Sequence, residues 1–173
     1  MKKITIILGL VIILFITFSQ ISYAEMAKEG TSSGKGYYNG ALQMLPMGKE
    51  RVQINYEAYG ITSSDNKQDI FHNSSQYILG GMHVFKGNIE DSGFIRSTLI
   101  TGDKVFMIYK CSGKMGKPTT VKGTFSFVGG TGKMEGIQGN GEFTRYSLHP
   151  PAKGKSASFS VRKFHWKINE VKE

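Results

Sequence analysis

Gly129-Gly130-Thr131-Gly132-Lys133-Met134-Glu135-Gly136-Ile137-Gln138-Gly139-Asn140-Gly141-Glu142-Phe143 is the stretch on which the reading of this chain turns. Six of these fifteen residues are glycine, and the run follows an alternating segment, Val121 to Phe127. Glycine at that density weakens helix and strand interiors alike, so the stretch predicts a tight, kinked corner between strands. Gly129, Gly130, Gly132, Gly136, Gly139 and Gly141 are assigned to that structural corner. A nucleotide loop is excluded. A P-loop would place glycine where Phe127 stands and Ser or Thr where Met134 stands, and a dinucleotide fingerprint would place its third glycine at Thr144.

Outward from the corner, the chain reads as strand after strand. Arg51 to Tyr59 alternates Val52, Ile54, Tyr56 and Ala58 against Gln53, Asn55 and Glu57, which places Glu57 outside. Tyr77 to Phe85 is apolar around Gly80-Gly81, a pair that suggests a bulge or sharp coil. Phe94 to Ile100 and Val105 to Cys111 flank Thr101-Gly102-Asp103-Lys104, a turn of hairpin length. Glu142 to Leu148 stops at His149-Pro150-Pro151, Phe159 to Ile168 closes the chain, and Tyr37 to Leu45 supplies one more strand. About eight short strands with turn residues between them predict an all-β fold, and an antiparallel barrel removes the edges that a sandwich leaves open.

At the N-terminus, Lys2-Lys3 precedes an apolar run from Ile4 to Phe18 and small residues at Ser22 and Ala24. This is the pattern of a cleaved signal peptide over residues 1–24, and the run is short for a membrane span. The expectation is export to the periplasm or beyond, with no stable membrane anchor after cleavage. Residues 25–36, polar and without periodicity, read as a flexible lead-in, and 37–173 as a single barrel domain. Removing the first 24 of the 173 residues leaves 149, enough for one ordinary core. Cys111, alone in the chain, reads as a small buried apolar residue.

Charge excludes less than it suggests. The formal net charge is +9, and 20 basic residues face 13 acidic ones once Lys2 and Lys3 are gone. The basic residues are scattered singly or in pairs, so no nucleic-acid tract is expected. His72, His83, His149 and His165 show no ligand spacing, so neither metal nor cofactor is expected.

The barrel interior is where chemistry is expected. On the strand from Glu142, the residues Glu142, Thr144 and Tyr146 share one face and Phe143, Arg145 and Ser147 the other. Either choice of parity turns a charge inward, where it needs a partner. Glu142 and Arg145 are therefore the candidate ligand-orienting groups, with His83 and Tyr109 behind them.

The block Phe127-Val128-Gly129-Gly130-Thr131-Gly132-Lys133-Met134-Glu135-Gly136-Ile137 resembles the glycine corner of the allene oxide cyclase and dirigent-type barrels. Residues about 48 to 146 are similar to exported bacterial proteins of that type, through Gly80-Gly81-Met82-His83, Glu90-Asp91-Ser92-Gly93-Phe94 and Gly141-Glu142-Phe143-Thr144-Arg145 among other blocks. The resemblance implies a compact, eight-stranded antiparallel, calycin-like barrel, often a homodimer or homotrimer. It does not choose among functions, because the fold hosts several. The leading expectation is a binder of a small apolar molecule in the barrel mouth and not an enzyme. A cofactor-free cyclase or isomerase and a structural protein with a filled barrel are the alternatives. The run Val105-Phe106-Met107-Ile108-Tyr109, apolar on both faces, asks for a second cover: either the segment around Tyr37 to Leu45 or another subunit.

Overall fold

The computed structural model describes residues 27–170, so the leader assigned to residues 1–24 lies outside the described residues. Eight antiparallel strands follow one another around a closed barrel: β1 (Glu29–Pro46), β2 (Arg51–Ser64), β3 (Ser75–Phe85), β4 (Asn88–Thr98), β5 (Lys104–Lys114), β6 (Thr120–Gly130), β7 (Ile137–Ser147) and β8 (Lys155–Ile168). β8 returns to pair with β1, so every strand has two neighbours and no edge is left open. The fold is the all-β barrel that the strand spacing predicts, and it matches the dirigent-type architecture implied by the resemblance.

Three local expectations are corrected. The lead-in before Tyr37 is strand from Glu29 onward, paired with β8, and Ser32, Gly34 and Gly36 face inward. Its weak periodicity arises because small residues, not large apolar ones, occupy its interior positions. The Gly80-Gly81 pair holds regular register with both neighbours and forms no bulge. The register shifts instead between Phe106 and Met107, where β6 carries Val128 as an extra residue. The glycine corner is also shorter than expected: Gly139 and Gly141 lie within β7, where the close approach of β8 leaves no room for a Cβ.

The two ends of the barrel differ. At one end an aromatic plug fills the interior. Phe71, inserted from the β2–β3 loop, lies 5.0 Å from Phe164 and 5.9 Å from Phe127 and Trp166, ring centroid to centroid. The loop is fastened by Thr62 Oγ1, which donates to the Phe71 carbonyl at 3.0 Å, and by a Thr62–Ser74 hydroxyl contact of 2.7 Å. A 3-10 turn, Gly132–Met134, seals the same end with the fully buried Met134. The other end, ringed by the β1–β2, β3–β4, β5–β6 and β7–β8 connections, is open.

Candidate functional site

Between the open mouth and the aromatic plug lies a cavity of about 770 Å³. Alternation along each strand decides its lining. Ile78, Met82, Ile89, Ile95 and Met107 make an apolar wall from β3, β4 and β5. Across from it, Ser147, Ser156, Ser158 and Ser160 on β7 and β8 make a hydroxyl-bearing one. Eight strands enclose an interior wide enough for one small ligand, and here the part beyond the plug is left free.

A polar cluster stands in the wall of the cavity, and glycines make it possible. Tyr56 on β2 pairs with Gly80 on β3, Gly80 with Gly93 on β4, and Gly93 with Tyr109 on β5. Two tyrosines thus flank two glycines in one row across four strands. A Cβ on Gly80 would stand 2.6 Å from Tyr56 Oη, and one on Gly93 would stand 2.8 Å from Tyr109 Oη. Without those atoms the phenols lean inward over the glycines until their hydroxyls touch.

Asp91, two residues before Gly93 and on the same face, receives both phenols. Tyr56 Oη donates to its carboxylate at 2.9 and 3.0 Å, and Tyr109 Oη at 3.2 Å. From across the barrel, Arg145 Nη2 reaches Asp91 Oδ2 at 2.5 Å, and Nη1 donates to Tyr56 Oη at 3.2 Å. The Asp91 side chain is fully buried and that of Arg145 nearly so. A buried ion pair of this kind repays its desolvation only when further hydrogen bonds complete it, and the tyrosines complete this one.

Burial sets the protonation of the cluster. It pushes the Tyr56 phenol up to about 12, with Arg145 working against the rise and Asp91 adding to it. Tyr109 is driven higher still, by burial first and then by Tyr56 and Asp91. For Arg145, burial acts against the charge, but Tyr56 and Asp91 outweigh it and hold its pKa above the ordinary value. Cys111, opposite Asp91 on β5, is a buried thiol raised to about 12 by desolvation. At neutral pH the cavity therefore meets two neutral phenols and a guanidinium. Both phenolic hydrogens are given to Asp91, so the cluster faces a bound molecule with the remaining N–H groups of Arg145, and none of the three groups is a free base.

Of the four residues singled out from the sequence, the structure brings Tyr109 and Arg145 together. The other two are corrected. His83 points outward between the inward-facing Met82 and Val84, over a shallow outer dish shared with Gln53, Glu90 and Lys110. Glu142 is exposed on the outer face of β7, in register with Lys163. Three interior residues were missed: Tyr56, read as core; Asp91, named only within the Glu90 to Phe94 block; and Arg162 on β8. A readable signal existed for Asp91, because extending the strand back from Phe94 sets it on the face of Ile89 and Ile95. The glycine corner lies at the plugged end, far from the mouth, and takes no part in the cavity.

Comparison with known proteins gives a fold and no closer kinship. No family model matches the chain, and no curated protein matches it in sequence. Among solved structures, the chain is similar to the pterocarpan synthase dirigent protein GePTS1, at 12% identity and a TM-score of 0.50, over 86% of this chain and 92% of that one. At that identity the likeness establishes a dirigent-like barrel and transfers no chemistry.

Proposed function

We propose that the protein is an exported binding module that holds one small, largely apolar molecule in the mouth of its barrel. The observation that carries this reading is the cavity: about 770 Å³, walled by Ile, Met and Phe side chains and open at one end only. That size and lining fit a small-molecule site, in which apolar walls supply affinity and a few polar groups fix orientation. Export is supported by the leader-like sequence Lys2 to Ala24, and the dirigent-like fold is compatible with a binding role.

The polar cluster favours a second reading, an isomerase or cyclase that works through side chains alone. Tyr109, turning its single O–H from Asp91 to the substrate, would donate to an oxygen on which charge develops, with Arg145 keeping Asp91 paired. Native mass spectrometry of protein purified from its own host tests the first reading: a retained small molecule is expected, and Ala58→Phe, which narrows the cavity, should lose it while staying folded. An empty protein in both cases would count against the binding module. The second reading requires that the Tyr109→Phe variant release the same molecule unchanged where the wild type converts it.

A further inference from the structure

Among the described residues, Arg162 is a buried cation of the interior that the polar cluster does not use. On β8 the inward residues run from the mouth as Ser156, Ser158, Ser160 and Arg162, and the next two, Phe164 and Trp166, already belong to the plug. Arg162 therefore stands at the cavity floor. It is 7% exposed, and among the described residues neither its Nε nor its Nη2 has a hydrogen-bond partner.

Among the described residues, no neighbouring side chain supplies that partner. The ion pairs among the described residues are Lys28–Glu170 and Arg145–Asp91, and Arg162 is in neither. Tyr38 Oη donates to Gln76 Oε1 at 2.8 Å and forms no hydrogen bond with Arg162. Asp69 acts on Arg162 only through space, and the guanidinium otherwise rests 5.3 Å from the Phe164 ring centroid. Leaving a buried cation unpaired is expensive, and the penalty is relieved if a counter-charge arrives from outside. The cavity is ready for one, since Lys117, Arg145, His149, Lys155 and Arg162 line it and, among the described residues, no Asp or Glu does.

The free atoms also specify a shape. Nε and Nη2 are adjacent donors on one side of the guanidinium, the fork that matches the two oxygens of a carboxylate. Arg145 is less suited to such a group, because its charge is already matched by Asp91 and two of its N–H groups go to Asp91 and Tyr56.

We propose that the molecule held in the cavity is an organic anion, an apolar body ending in one carboxylate, whose two oxygens are received by Arg162 at the cavity floor. The body lies along the Ile78, Met82, Ile95 and Met107 wall and reaches toward the mouth. This rests on the binding-module reading and narrows it to a ligand class.

The test is a matched pair of probes, decanoate and decan-1-ol, titrated calorimetrically into the purified exported protein. Decanoate should bind more tightly by roughly ten-fold or more, because a charge-assisted bidentate contact is formed only by the acid. Arg162→Met should abolish that preference while leaving decanol affinity unchanged or improved, and Arg162→Lys should restore part of it. The contrast in the wild type stands even if a variant fails to fold. Equal affinities in the wild type would overturn the carboxylate and leave the binding module standing; no binding of either probe would overturn both. A preference that survives Arg162→Met but disappears with Lys155→Met or in high salt would place the anion at the rim, and the assignment to Arg162 would fall.

Discussion

Asp91 organises the interior because it is the acceptor on which three inward-pointing donors converge. Its carboxylate takes two phenols and a guanidinium, so the tyrosines are held as donors and their ionisation is suppressed. That coupling makes stability depend on alkaline pH. The Tyr56 phenol sits at about 12 in the fold and at 10.0 in an ordinary setting. Below the unfolded value both states carry the proton and the contribution is fully present. As pH rises from 10 through 12, the unfolded chain gives up a proton that the folded chain keeps, so stability falls. A shift of two units corresponds to roughly 2–3 kcal/mol lost across that window. Urea unfolding at a series of alkaline pH values should show this slope, and Tyr56→Phe should make it shallower. An identical slope in both proteins would mean that Tyr56 ionises freely.

At the scale of elements, the glycine corner is a closure device for the plugged end. Gly132 adopts φ +58, and a Cβ there would collide with Asp103 Oδ1 in the facing β4–β5 turn. A Cβ on Gly130 would stand 2.8 Å from Met134 Cβ, inside the seal. Gly132→Val and Gly130→Val should each destabilise by roughly 1–3 kcal/mol, read as a lowered midpoint of thermal unfolding. Unchanged melting in both would show that the corner yields freely. The same elements show what sequence can and cannot say. The corner and the alternation of β2 and β6 were legible because glycine density and period-two patterning are local signals. The site was only half legible. β7 offers a charge on either face, and only its pairing with β6, which sets Arg145 opposite the buried Val121, chooses the inward one. Arg162 and Asp91 lie on faces that apolar residues mark, Phe164 and Trp166 for one and Ile89 and Ile95 for the other, but a charge interrupts the alternation there and reads as solvent-facing until the register is known. Gly80, read with Gly81 as a bulge, instead stands beside Gly93 in a row flanked by tyrosines, and that space kept for side chains shows only once the register is known.

For the whole molecule, the open question is the outer face of β3 to β5. Leu79, Phe94 and Ile108 are cross-strand neighbours in one outward row, exposed by 48%, 67% and 44%, and Phe106 stands beside them. The segment around Tyr37 to Leu45 does not cover this row, because it is committed to pairing edge to edge with β2 and β8. Of the two covers that the apolar run of β5 calls for, the N-terminal segment is thereby removed. We propose that a second copy of the chain provides it, in a homodimer or homotrimer, since contiguous apolar surface of this kind commonly marks an interface. Burying Phe94 alone would contribute about 1.5–3 kcal/mol to such a contact. Sedimentation velocity at micromolar concentration should give an assembled species, and Phe94→Glu should shift it to monomer without altering the folded state by circular dichroism. The mouth of the barrel lies at the strand ends and the row lies on its flank, so assembly through this face leaves the cavity open; a strictly monomeric wild type would refute the oligomer and leave these side chains facing water.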